Sequence, residues 1–597
     1  MNNPASNTLS ATLRLQAWLL LGLLGITLAV FGRVCGHEFV HFDDNVLIYN
    51  NPHVTGLTWE NIQWMFSNGS YARRYMPLGW LSLAIDYQLF GLSPHAYHTG
   101  NLLLHLMNVA LLFFLLKRLL LMACPSPEAA TVPLWCAAIG ALFWAVNPLR
   151  VENVAWASAR IYCVAFLFFT LWLLAWLRAH DPATPETQRR VFYWLAVAAY
   201  AASLLTYPLA IFAPFALFVL EVFPLRRIRP RLADWWGPGS SRIWCDKIPF
   251  LAVAISVLAL TFVALIHTDA RYKPMTLEEF PPFSRLMQAF YIWGYYFWKP
   301  WAPYDLAISY MTLHSFNPTG LIFVSSAALV LAITVGVFLL RRRWPSALAL
   351  WSCHLVFLIP VLGLTEYPHS PYDRYSYLHG ALWSVTLAFG LRQLWQHRQQ
   401  GQLAAIAVAG VSALFALLAW QQVAVWRDTI PLYENLLAHV GEHPDRARSD
   451  TVLGVHYLRA GLTNAAITSF ENAIHYEPLR PDRRWFNEGV LRAANSQLGD
   501  IYSHQGRLEK AAACYRAAAE EDPSGWAAAK AGFMLAQLHR PEEAVKWLQT
   551  AVRLQPDNAS AQHELAVSLQ SLGLEAEARR HFAEEQRVLE MAKTVKR

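Results

Sequence analysis

Along roughly the first 420 residues, long apolar runs alternate with short polar connections; beyond them, apolar and small residues recur at helical spacing among charges. A helix needs about 20 mostly apolar residues to cross a ~30 Å hydrocarbon core. Such runs fall at 11–33, 97–121, 131–147, 155–178, 190–206, 208–223, 247–267, 318–340, 345–364, 374–394 and 402–422, which predicts eleven spans. The N-terminal region of the first run carries only Arg14 and no small-x-small site follows before Cys35, so the run reads as a permanent anchor and not as a cleaved signal.

The last 170 residues carry a repeat. Before Pro478 stand Leu453, Gly454, Tyr457, Gly461, Ala466, Phe470 and Ala473, and before Pro523 stand Leu498, Gly499, Tyr502, Gly506, Ala511, Tyr515 and Ala518 at the same offsets. Gly532, Leu535, Ala544, Leu548 and Ala551 make a third copy, and Leu565, Ala566, Leu569, Gly573, Ala578 and Phe582 a fourth. Small residues where two helices touch and large ones where they fill the groove are the tetratricopeptide (TPR) pattern. The wide spacing of the first two copies implies an insertion around Arg480 to Val490. The expected fold is all-α: a polytopic helical membrane domain over 1–425, with outer loops 35–96 and 268–317, then a TPR α-solenoid of about four repeats over 426–597.

Composition supports this division. The chain is 55% hydrophobic, 14% aromatic and 15% charged, which excludes a disordered tail, a disulfide-stapled secreted module and an ordinary soluble enzyme. Residues 421–597 hold 21 Lys+Arg against 23 Asp+Glu, leaving 27 against 18 for the rest. The net +7 therefore belongs to loops beside a membrane and gives no nucleic-acid surface. Seven cysteines without a CxxC support neither a zinc site nor a disulfide framework. Sixteen Lys and Arg, among them Arg226-Arg227 and Arg341-Arg342-Arg343, fall in one set of alternate connections, and eight in the other, longer set. The basic set faces the cytoplasm. With eleven spans, the two long loops and the solenoid then lie on the non-cytoplasmic side.

In the first long loop, Thr58 can cap a short helix that sets Trp59, Ile62, Met65 and Phe66 on one interfacial face. Phe283 to Trp301 is an aromatic belt segment. No Walker loop, GxSxG or HExxH occurs. What remains is Glu38-Phe39-Val40-His41-Phe42-Asp43-Asp44-Asn45, two adjacent carboxylates just above the bilayer with His37, His41 and His53 nearby. That set can supply a general base or a divalent-cation site, or it is a solvated Asx turn.

The run from His41 through Asn51-Pro-His-Val-Thr-Gly, Tyr75-Met-Pro-Leu-Gly-Trp, His98 and Asn101-Leu-Leu-Leu-His105 resembles the transmembrane-and-TPR proteins related to protein O-mannosyltransferases. Asn147-Pro-Leu-Arg-Val-Glu-Asn, Asp373-Arg-Tyr-Ser-Tyr-Leu and Val425-Trp-Arg-Asp extend the likeness over nearly the whole chain. The resemblance implies the GT-C glycosyltransferase architecture and transfer of a sugar from a polyprenyl-phosphate carrier to a protein hydroxyl outside the cytoplasm. It implies that Asp43 is the base and that Asp44 orients it or the acceptor. A carrier phosphate needs cations at the outer leaflet. Arg150, Arg160, Arg374 and Lys299 stand at outer span ends, either as headgroup anchors or, together, as a phosphate clamp. At two positions the family pattern is not kept: Asn147 stands where a His is common and Tyr207 where a Lys is common. The partners implied are the lipid-linked sugar donor, the membrane, and a protein acceptor held by the solenoid; the expected location is a bacterial inner membrane. The competing readings are a non-catalytic envelope scaffold and an envelope oligosaccharide ligase.

Overall fold

The structure, a computed structural model, describes residues 4–69, 71, 75–123, 131–237, 240–266, 275–310, 312, 316–364, 369, 371–479, 489–522 and 524–595. Among these the regular elements are helices only. The chain folds as two compact units, Met1–Leu432 and Tyr433–Arg597, divided inside the helix Thr429–Val440.

The first unit is a multi-pass membrane domain. Among the described residues six helices are long and apolar enough to cross a bilayer: Ala11–Gly36, Pro94–Ala123, Ala157–Ala179, Ser241–Ile266, Leu321–Leu339 and Arg398–Trp426. Val132–Ala145 and Pro148–Ala155 make a seventh if taken as one span bent by 61°. Ala157–Ala179 is the central one, 67% buried, whereas Leu321–Leu339, 17% buried, turns most of its surface outward. The eleven spans expected from hydropathy are thus not all formed. Pro208 and Pro214 break 208–223 into a 3-10 turn and the eight-residue helix Phe215–Val222, because proline removes an N–H from the ladder and clashes with the preceding turn. Gly380 divides 374–394 into Ser376–His379 and Ala381–Leu394. The helix Pro345–Phe357 continues only as a short 3-10 turn, Ile359–Val361.

Thr58 caps the predicted loop helix, Trp59–Ser67, by accepting from the Asn61 N–H. Its packed face differs from the expected one: Met65 and Asn61 are buried, and Trp59 is 76% exposed. Trp64 stacks on His53 with centroids 4.2 Å apart and leans on Trp80, so aromatic partners elsewhere in the loop decide which side turns in.

The second unit is four helix pairs: Arg446–Arg459 with Thr463–Tyr476, Val490–His504 with Leu508–Ala519, Trp526–Gln537 with Pro541–Leu554, and Ala559–Ser571 with Glu575–Val595. A Cβ on Gly454 would lie 2.7 Å from the Phe470 ring, on Gly499 2.6 Å from Tyr515, and on Gly532 2.5 Å from Leu548. In each of these pairs the glycine admits the large side chain sixteen residues on, and in the fourth pair Ala566 precedes Phe582 by the same interval. The turn between paired helices needs a left-handed residue, supplied by Gly461, Gly506 and Gly573, and in the third pair by His539 at φ 57°. The expected insertion around Arg480 to Val490 lies mostly outside the described residues.

Candidate functional site

After the first span the chain makes a 3-10 turn, Gly32–Gly36, runs extended to His41 and reverses at Asp43. Asp43 sits at φ 61°, a left-handed conformation that aspartate tolerates better than most residues. Its carbonyl accepts from the Val46 and Leu47 N–H groups at 2.9 and 2.7 Å, closing the turn into Asn45–Tyr49. Its side chain is exposed. Asp44 is the opposite, fully buried. One carboxylate oxygen accepts from the Val40 N–H at 3.0 Å, the other from the Ser158 N–H at 3.0 Å and from the Ser158 hydroxyl. Burial pushes the Asp44 carboxyl up to about 7 against the pull of those donors. Adjacent in sequence, the two acids therefore have different tasks open to them: one faces outward, and the other bolts the turn to residues 157–159.

The histidines disperse. His41 meets Tyr49 through Nδ1 at 3.1 Å, His53 lies on Trp64, and His37 turns toward His98. Among the described residues no group of three or more His, Cys, Asp or Glu side chains is placed to hold a metal ion. The divalent-cation site thought possible from the sequence is not assembled there.

Residues 147–160 form an elbow that organises the rest. Asn147 accepts from the Leu149 N–H and donates to the Pro300 carbonyl at 2.9 Å, so here it caps the bend in the broken span. Arg150 is buried and gives two hydrogen bonds of 2.6 Å to the carbonyl and hydroxyl of Ser376. Arg374 is likewise buried and pairs with Glu152 at 2.5 Å, while its own N–H donates to the other Glu152 oxygen at 2.7 Å. Its guanidinium lies 3.7 Å from the Tyr372 ring and 5.4 Å from that of Trp156. Trp156 in turn donates from Nε1 to the Phe42 carbonyl at 2.9 Å, and its ring meets Phe42 and Trp426. Phe42, the residue before Asp43, and Arg374 therefore meet on one indole.

Lys299 sits in an aromatic box, 5.1 to 5.6 Å from the rings of Tyr295, Trp298, Tyr304 and Tyr310, and donates to the Tyr304 carbonyl at 2.7 Å. Asp373 accepts from Tyr295 at 2.9 Å and Tyr310 at 3.0 Å, which sets it against the same box. Arg160 stands in a different cluster: it pairs with Asp86 and donates to Asn101 at 2.8 Å and to the Tyr97 carbonyl. Three of the four predicted cations thus gather around Glu152 and Asp373, and the fourth ties the helices of the first loop together. Glu152 and Asp373 were not singled out from the sequence, although both stand in the quoted motifs and an acid beside or within an apolar run is itself a signal. They line a narrow recess of about 10 Å³, room for a single water, together with Leu306, Gln422 and Trp426. Tyr207, the other departure, packs edge-on against Tyr162.

In the solenoid, a groove of about 650 Å³ runs across the first three repeats, lined by Leu458, Thr463, Gln497, Asp500, His504, Trp526 and Lys530.

A tetratricopeptide repeat family model matches residues 493–524. Protein O-mannosyl-transferase TMTC1 of Mus musculus is 32% identical over 167 residues, which are 27% of this chain and 17% of that protein. Protein O-mannosyl-transferase TMTC4 of Homo sapiens is 28% identical over 189 residues, 30% of this chain and 25% of that protein. The chain thus matches a quarter or less of the length of these curated relatives. The crystal structure of MamA aligns with a TM-score of 0.23 at 18% identity, covering 28% of this chain and 89% of that one.

Proposed function

We propose that this protein is a membrane glycosyltransferase that moves a sugar from a polyprenyl-phosphate carrier to a hydroxyl of a protein acceptor on the non-cytoplasmic side. The observation that carries the reading is the division of labour between Asp43 and Asp44. A general base must reach the proton it removes, and Asp43 presents an exposed carboxylate on a turn whose shape is fixed by the buried Asp44. In the step, the acceptor oxygen bonds to the anomeric carbon, the bond from that carbon to the carrier phosphate breaks, Asp43 takes the hydroxyl proton, and the phosphate leaves with the electron pair. Arg374, joined to the acid turn through Trp156, is the cation best placed to favour the departing phosphate, with Arg150 and Lys299 adding to the local field. Several of their N–H groups serve protein partners already and Arg374 is paired with Glu152, so they offer residual positive potential and not a preformed clamp. Arg160 is a positioning residue in this reading. The solenoid groove, with amide, hydroxyl and aromatic side chains, supports holding an extended acceptor segment.

The sidedness and a bacterial inner-membrane location are part of the proposal: the Lys and Arg asymmetry of the connections supports the first, and the Ala- and Arg-rich tail with short loops supports the second. The test is mass spectrometry of envelope glycopeptides from wild type, deletion and Asp43→Asn strains. Loss of the same glycopeptides in the last two supports the reading. Full glycosylation in the Asp43→Asn strain, at normal protein level, removes it and leaves the scaffold.

A further inference from the structure

Asp43 is held in its left-handed conformation by its neighbours on both sides, and both anchors come from one elbow. The residue before it, Phe42, accepts a hydrogen bond from the Trp156 indole at 2.9 Å; the residue after it, Asp44, is gripped by Ser158. A non-glycine residue at positive φ persists where its surroundings over-determine it. Trp156 is itself fixed: it is 2% exposed, its carbonyl accepts from Asn101 at 2.8 Å, and its ring stacks on Trp426 at 5.8 Å. The guanidinium of Arg374 lies over the same ring. One side chain therefore touches the acid turn by its N–H and the buried Arg374–Glu152 pair by its π face.

We propose that Trp156 is a positioning residue that sets the direction of the Asp43 carboxylate and keeps it in register with the Arg374 side of the site. The catalytic part of this proposal rests on the glycosyltransferase reading, while the geometric part does not. An indole is suited to the task because its edge donates while its face attracts a cation, so the two contacts are made by different parts of one rigid ring. The N–H is the decisive atom. Phenylalanine would keep an aromatic face toward Arg374 and lose the anchor on Phe42.

The experiment replaces Trp156 in the full-length chain with β-(3-benzothienyl)alanine, an isostere whose ring sulfur stands where the N–H was, with Trp156→Phe as a second variant. Hydrogen exchange at the Val46 and Leu47 amides, which bond to the Asp43 carbonyl, reads the turn directly. Turnover of a polyprenyl-phosphate mannose donor with an acceptor protein reads the chemistry. The expected result is exchange accelerated about 10-fold or more at those two amides, with kcat lowered ~10- to 100-fold, the scale of an ångström-sized misplacement, and donor KM within about twofold. Unchanged exchange in the isostere overturns the proposal whatever the turnover. So does a loss expressed only in KM. Asp43→Asn separates the two levels: if it turns over like wild type while the isostere still loosens the turn, Asp43 is not the base, and the anchoring by Trp156 stands as a structural fact alone.

Discussion

The Glu152–Arg374 pair offers a test of how the membrane unit is held together at its candidate site. Both side chains are almost wholly buried, and Glu152 takes two hydrogen bonds from one residue, 2.5 Å from the guanidinium and 2.7 Å from the backbone. Glu152→Gln leaves the guanidinium without a counter-charge and turns an amide NH2 toward one of the two donors. Arg374→Met leaves the carboxylate buried without its cation. Removing one partner of a buried pair costs about 3–5 kcal/mol, because the survivor keeps its desolvation penalty and loses the attraction that offset it. The double variant strands no charge, so it should be no less stable than the worse single variant, giving a coupling of about 3 kcal/mol between the sites. Unfolding by sodium dodecyl sulfate in mixed micelles, followed by tryptophan fluorescence, reports mainly this unit, since only Trp485, Trp526 and Trp547 of the 25 tryptophans lie after Leu432. If each single variant costs less than about 1 kcal/mol and the two effects add, the pair behaves as a hydrated surface bridge and the argument from burial is wrong.

Three further outcomes are expected. Because the Asp44 carboxyl is raised to about 7 in the folded chain from an ordinary 3.8, the native state holds its proton more firmly than the unfolded state. That contribution to stability is complete below about pH 4 and lost as pH rises through 7, so wild-type melting temperature should fall between pH 5 and 8 more steeply than that of Asp44→Asn. His539→Gly should stabilise the solenoid by about 0.5–1 kcal/mol in urea unfolding, since the left-handed penalty of ~1–2 kcal/mol exceeds the entropy cost of glycine; a loss of stability would show that the His539 side chain contributes more than its backbone costs. Truncation after Leu432 should leave a folded membrane unit with unchanged donor binding and a raised apparent KM for protein acceptors, because tethering supplies a local concentration in the millimolar range; normal efficiency on full-length acceptors would refute an acceptor-holding role for the solenoid.

The sequence by itself determined whatever depends on local spacing. The helix pairs of the solenoid follow from a small residue and its large partner sixteen positions on, because paired helices meet at that interval whatever surrounds them: Gly454 with Phe470, Gly499 with Tyr515, Gly532 with Leu548. The most apolar spans were legible for the same reason, as was the Thr58 cap. Tertiary structure decided the rest. Whether 208–223 or 374–394 continues as one helix depends on how prolines and Gly380 are accommodated by neighbours, which hydropathy averages away. Arg150, Arg160, Arg374 and Lys299 look alike as basic residues at span ends; only the fold gives Arg160 to Asp86 and Arg374 to Glu152, since each pairing joins segments 74 and 222 residues apart. The separation of Asp43 from Asp44 is the clearest case. Two adjacent aspartates are equivalent in a string of letters, and they became an exposed acid and a buried anchor because Ser158 and Trp156, more than a hundred residues later in the chain, grip the turn on either side.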